Sequence, residues 1–257
     1  MTVHSTAIVS PSAVLADDVE VGPYAVIGDD VEIGSGSSIA AHVIISGPTR
    51  IGRDNRIYQF SSIGDDPQDK KYAGEKTRLE IGDRNTIREY CTISRGTVQD
   101  EGVTTLGDDN WIMAYVHIAH DCRIGSNTIF ANNATLAGHV YVGDWVIFAG
   151  FSGAHQFCRV GAHSFLGMYC GTNRDVPAYT MMAGQPAAPH GINSEGLKRR
   201  GFTSEQIRNI KNAYRIVYRQ SRKLAEAIQQ IELLVADQPE LRIFLDSLRA
   251  SERGLVR

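Results

Sequence analysis

Residues 21–34 read Val-Gly-Pro-Tyr-Ala-Val-Ile-Gly-Asp-Asp-Val-Glu-Ile-Gly, with Val21, Ile27 and Ile33 six apart and each followed by glycine. The spacing extends backward through Leu15, Val9 and Val3, and forward through Ile39, Ile45, Ile51, Ile57 and Ile63. It resumes at Ile81, Ile87 and Ile93, slips by one residue across 96–105, and runs from Leu106 to Leu166. A helix repeats at about 3.6 residues and a strand at about 2, so neither explains a period of six. A parallel β-solenoid does, each hexapeptide being one short strand and a turn with its aliphatic residue pointing inward. The glycines are expected at the turns, where positive φ suits them.

Two stretches break the period. Asp69 and Glu75 fall where aliphatic residues belong, so 65–78 is expected to be an extruded polar loop, and 96–105 is a second insertion. Either is a tolerated surface insertion or a functional loop on a rigid scaffold. After residue 190 the pattern becomes helical. Thr203-Ser204-Glu205-Gln206 fits a capping box. It is followed by apolar stripes through Ile207, Ile210, Tyr214, Val217 and Tyr218, then Leu224, Ile228, Ile231 and Val235, then Leu241, Phe244, Leu245 and Leu248. Two domains are expected, 1–190 and 191–257.

Composition separates the same two parts. The chain has 257 residues, 25 glycines, 26 basic and 29 acidic residues, a formal charge of −3. Residues 1–193 hold 22 of the glycines and carry 13 − 21 = −8, whereas 194–257 carry 13 − 8 = +5. A near-neutral total argues against a general nucleic-acid binder. No apolar run approaches the ~20 residues of a membrane helix. Met1-Thr2-Val3-His4-Ser5 lacks the features of a secretory signal. Cys91, Cys122, Cys158 and Cys170 are far apart, so reduced, buried thiols in a cytoplasmic protein are expected.

The hexapeptides over residues 3–187 resemble the left-handed parallel β-helix of the hexapeptide acyltransferases, where three make one triangular coil of about 18 residues. The fold class is therefore mainly β, a left-handed parallel β-helix with a C-terminal α-helical domain. About ten coils at ~4.8 Å give a prism on the order of 48 Å long. Residues one coil apart stack, so His120, Gly138-His139 and His155-Gln156 line one edge, with His117 close by. Such imidazoles can act as a general base or bind zinc, or they can simply be polar edge residues where subunits pack. For His163, outside this column, a structural role is expected.

The segments His117-Ile118-Ala119-His120-Asp121-Cys122, Asn132 through His139, and His155-Gln156-Phe157 resemble the bacterial UDP-N-acetylglucosamine O-acyltransferases. Further matches are Arg56 to Phe60, Gln68-Asp69, Lys71 to Glu75, Arg95 to Gln99, and Glu195 to Phe202. That family starts lipid A synthesis by moving a 3-hydroxyacyl chain from acyl carrier protein. The resemblance implies His120 as general base, Asp121 as its partner and the Gly138 N–H as oxyanion donor. It implies direct transfer in a ternary complex, with no acyl-enzyme, no metal and no cofactor. Asp69, Lys71, His117, His139, His155 and Gln156 match substrate contacts, and Asn193, Glu195, Arg199 and Arg200 a nucleotide-binding set. The family works as a homotrimer with sites between neighbouring β-helices. Lys211, Arg215, Arg219, Arg222 and Lys223 then become candidates for meeting the acidic acyl carrier protein.

Two departures stand out. Ser94 occupies a position where the family often has histidine. Met168 follows Gly167 where myristoyl-preferring members carry glycine, so it is expected to shorten the acyl groove and favour hydroxydecanoyl, unless it is ordinary core. Of three rivals, the N-acyltransferase that acts later in the same pathway normally bears a separate N-terminal domain, for which hexapeptides beginning at Val3 are expected to leave no room; a zinc lyase of the γ-carbonic anhydrase type and a non-catalytic scaffold remain. The motifs are compatible with an acceptor carrying either a 3-hydroxyl or a 3-amino group, since variants of the family use either.

Overall fold

The structure, a computed structural model, describes residues 2–220 and 223–257. Its first part is the expected left-handed parallel β-helix with three faces. Ten parallel strands, from Thr2–Val3 to Thr180–Ala183, form the first face, and Ala188–Ile192 adds an antiparallel eleventh. The second face runs from Ile8–Val9 to Gly171–Thr172 with nine strands, and the third from Val14–Leu15 to Arg159–Val160 with eight. Register explains the period: Val3 pairs with Val21 and Val21 with Ile39, eighteen residues per coil. Each aliphatic residue of the period therefore stacks on its counterpart one coil away, and from Val21 onward they join one buried core with neighbours such as Val19, Ala25 and Val31.

The two breaks are insertions, and register gives their sizes. Ile51 pairs with Ile81, thirty residues on, so the first adds 30 − 18 = 12. Twelve is a multiple of six, which is why Ile63 and Ile81 keep an apparent spacing although they lie on different faces. Ile81 pairs with Leu106, so the second adds 25 − 18 = 7, one residue more than a hexapeptide. Both leave the prism at one corner, between the second and third faces.

The glycine expectation is corrected. The corner residues with positive φ are mostly not glycine: Tyr24 at 59°, His42 at 58°, Phe60 at 65° and Tyr90 at 57°. Their left-handed backbone costs on the order of 1–3 kcal/mol each. Stacking offsets this, since Tyr24, His42, Phe60, Tyr90 and Tyr115 form a ladder with centroids 4.9–5.2 Å apart. The recurring glycines serve close approach instead. A Cβ on Gly34 would lie 2.7 Å from the Gly52 carbonyl, and one on Gly22 2.8 Å from the Ala41 nitrogen.

The C-terminal part holds α1 (Ser194–Arg199), α2 (Ser204–Tyr218), α3 (Leu224–Val235) and α4 (Arg242–Arg249), with a 3-10 turn at Pro239–Leu241. The capping box at Thr203 forms with both of its hydrogen bonds. Ile210, Val217, Ile231, Leu241, Phe244 and Leu245 build a second core that also takes in Ala178 and Tyr179. Polar bonds cross between the parts: Tyr179 Oη donates to the Glu240 carbonyl, and the Asp175 carboxylate accepts from Ser251, Glu252 and Arg253. All four cysteines are free and buried. Among the described residues no helix is long and apolar enough to cross a membrane.

Candidate active site

The corner that emits both insertions also carries His120 and Asp121, Gly138 and His139, and Gln156 and Phe157 on successive coils. Asp121 is buried at a left-handed corner position, φ 59°. Its Oδ2 accepts from His120 Nδ1 at 2.8 Å and from Thr97 Oγ1 at 2.6 Å, and its Oδ1 accepts from Thr97 N at 2.8 Å. Burial alone would raise this carboxyl, but the bonds from His120 and Thr97 outweigh it and hold it below the usual range. An ionised acceptor at Nδ1 leaves Nε2 of a neutral His120 as the basic nitrogen.

Gly138 lies beneath that ring. A Cβ there would meet His120 Cε1 at 2.6 Å and Nε2 at 2.8 Å. His139 stands edge-on to His120, centroids 5.1 Å apart, and stacks on Phe157 at 4.4 Å. Its Nδ1 bonds the Asp100 carboxylate at 3.0 Å, and Arg123 donates to the other Asp100 oxygen at 2.7 Å. His117 points outward from its strand and bonds Thr92 at 2.7 Å. Burial, and then the neighbouring His120, push its imidazole below the ordinary range. His155 and Gln156 are exposed, and His155 lines an open groove of about 550 Å³ with Thr135, Ala137, Gly171, Thr172 and Gln185. One atom each from His120, Asp121 and His139 lie within 4.8 Å of one another, a set that could hold a metal ion. Both Asp121 oxygens are, however, already accepting hydrogen bonds.

Asp69 and Lys71 sit on the first extruded loop, where the Lys71 N–H donates to the Asp69 carboxylate at 3.0 Å. Arg95 pins this loop by donating to the Gly47 and Gly64 carbonyls, the Tyr72 hydroxyl and the Asp66 carboxylate. Ser94 is buried. The second loop supplies Thr97 and Asp100, to which sequence reading gave no role. The slip in the period was the signal that could have found them.

Asn193 and Glu195 lie at the start of α1 and Arg199 and Arg200 at its end, and none bonds the His120 cluster among the described residues. Asn193 caps α1 through its Oδ1 and donates from Nδ2 to the His163 carbonyl. Glu195 pairs with Lys198, and Arg199 is exposed. His163 is buried, as a structural role requires, and burial pushes it down to about 4. Met168 is 61% exposed at another corner, so the core reading of it is overturned; its methyl lies over Gly150. Lys211, Arg215 and Arg219 line one groove of about 310 Å³ with His190, Lys223 is exposed, and Arg222 lies outside the described residues.

The chain is similar to known proteins over its whole length. The hexapeptide family of bacterial transferases matches residues 12–47 and 104–138, and the second domain of UDP-N-acetylglucosamine O-acyltransferases matches 175–256. An acyl-[acyl-carrier-protein]–UDP-N-acetylglucosamine O-acyltransferase of Thiobacillus denitrificans is 58% identical over 256 residues, covering 100% of this chain and 99% of its own. One from Janthinobacterium sp. (strain Marseille) is 57% identical, covering 99% of each. The crystal structure of UDP-N-acetylglucosamine O-acyltransferase from Moraxella catarrhalis, 48% identical, superposes with a TM-score of 0.99 over 100% of both chains.

Proposed function

The chain belongs to the acyl-[acyl-carrier-protein]–UDP-N-acetylglucosamine O-acyltransferases, and from that premise we propose how its residues move the acyl chain. It transfers an acyl group from acyl carrier protein to UDP-N-acetylglucosamine, the first step of lipid A biosynthesis. The acceptor is the sugar 3-hydroxyl and the base is His120. The single observation carrying this is the imidazole held by Asp121 through Nδ1 and seated on Gly138.

His120 Nε2 takes the hydroxyl proton as the oxygen attacks the thioester carbonyl. The tetrahedral oxyanion is met by the Gly138 N–H, which donates to no protein acceptor among the described residues. Collapse expels the carrier thiolate, which recovers the proton from the imidazolium. Bond making and breaking balance with no acyl-enzyme. His117, His139, His155, Gln156, Asp69 and Lys71 surround the acceptor and the acyl donor on this corner. Asn193, Glu195, Arg199 and Arg200 hold the nucleotide.

Since that nucleotide set lies apart from His120 within one chain, the working form is a homotrimer in which a neighbouring protomer completes each site. The groove of Lys211, Arg215 and Arg219 faces the acidic carrier. Met168 limits the acyl chain, favouring hydroxydecanoyl. Substrates of this kind, with four free thiols, suit a cytoplasmic location. Mass spectrometry of products from UDP-N-acetylglucosamine and a panel of 3-hydroxyacyl carrier protein thioesters tests the reading. Absence of acyl transfer would sink it. Stoichiometric zinc at the His120, Asp121, His139 cluster of the purified protein would overturn the metal-free role given to His120.

A further inference from the structure

Arg200 is a half-buried cation for which no carboxylate lies within ion-pair distance among the described residues. Its guanidinium lies over the Trp145 ring, 5.2 Å from Cζ to centroid, and donates to His163 Nδ1 at 3.2 Å. Burial lowers its pKa, the direction expected of a cation short of compensation. Such a group is stable only if water or a ligand takes its remaining N–H donors.

The neighbours of the guanidinium are built to hold it without neutralising it. His163 is buried, stacked between Trp145 at 6.3 Å and Tyr179 at 5.4 Å, with Phe202 edge-on at 5.3 Å. Its ring stays neutral at working pH and so offers Nδ1 as an acceptor. Its carbonyl accepts from Asn193 Nδ2, which ties the cap of α1 to the same corner. A carboxylate in place of His163 would cancel the guanidinium charge, whereas a neutral imidazole orients the fork and leaves the charge in place.

We propose that His163 and Trp145 are positioning residues that aim Arg200 at the diphosphate of the nucleotide sugar. The inference rests on the reading of Arg200 as a nucleotide contact, and the experiment separates the two. Steady-state kinetics for UDP-N-acetylglucosamine, binding of UDP by calorimetry and thermal melts are compared for Arg200→Ala, His163→Phe, His163→Gln, Trp145→Ala and Trp145→Phe. His163→Phe keeps the ring and removes the acceptor. Its expected result is about a tenfold rise in KM and in the Kd of UDP, with kcat unchanged. Trp145→Ala is expected to behave alike, while His163→Gln and Trp145→Phe restore binding. Adding His163→Phe to Arg200→Ala is expected to cost nothing further.

If Arg200→Ala leaves KM and the Kd of UDP unchanged, the nucleotide reading fails and this proposal with it. If Arg200→Ala weakens binding but His163→Phe and Trp145→Ala do not, only the proposal is overturned. A fall in melting temperature and kcat with unmoved KM overturns it too, since that is what a purely structural role predicts.

Discussion

The His120 imidazole rests on Gly138 so closely that a Cβ at that glycine would come within 2.6 Å of the ring carbon between its nitrogens. Asp121 grips the ring from the other side at 2.8 Å. The proposed base is therefore held between a glycine of the next coil and a buried carboxylate of its own coil, and the glycine contact exists only because coils stack.

Gly138→Ala is expected to displace the imidazole while leaving the prism folded. Misplacement of a reacting group by about 1 Å lowers rate on the order of 100-fold. Acyl-transfer assays should show that loss, with a melting temperature near that of the parent. Full activity would mean that the ring position does not matter.

His120→Ala removes the proposed base, and transfer should fall about 10²- to 10⁴-fold. Asp121→Asn should approach the same loss, because an amide cannot hold the imidazole tautomer as a carboxylate does. Thr97→Val removes one of the two Thr97 bonds to Asp121 and should cost less, about tenfold in kcat/KM. The ranking Asp121→Asn below Thr97→Val is the checkable outcome, read from kcat/KM.

His163 links stability to pH. Its folded value of about 4 lies below the ordinary histidine value, so the unfolded chain binds more protons between them. Its contribution is fully present above about pH 6.5 and is lost as pH falls toward 4, on the order of 3 kcal/mol in all. Melting temperatures should decline over that window, and His163→Gln should flatten the decline.

Met168→Gly should lengthen the preferred acyl chain at no cost in stability. The side chain is exposed, so its removal leaves no cavity. Each methylene newly accommodated adds ~0.8 kcal/mol, about fourfold in preference. Competing thioesters of different length would report the shift. An unchanged product distribution rules out the ruler.

Gly34→Ala should destabilise the prism by about 1–3 kcal/mol, because the new methyl would press on the Gly52 carbonyl one coil away. Denaturant unfolding measures it. A backbone-freedom account predicts little effect there, since φ at Gly34 is not positive.

Much of this was legible in the residues. The six-residue aliphatic period named the fold, and stacking at one-coil spacing brought His120 against Gly138 and beside His139. Arg95, Thr97 and Asp100 escaped that reading, because they lie around the insertion that breaks the register on which it depends. The first insertion was disguised further, since twelve residues preserve the period while moving the chain to another face.

The sequence by itself determined which side chains enter the core and which corner carries the histidines. Both follow from a periodicity locked to the backbone ladder. It also determined the division into an acidic prism and a basic helical part, which is arithmetic on composition. Tertiary structure alone decided why the glycines recur, that Met168 is exposed, and that a neutral His163 meets Arg200 across 37 residues of chain. Those are through-space relations between coils, and between the prism and its helices. A pattern along the chain does not encode which atoms will come within 3 Å of each other.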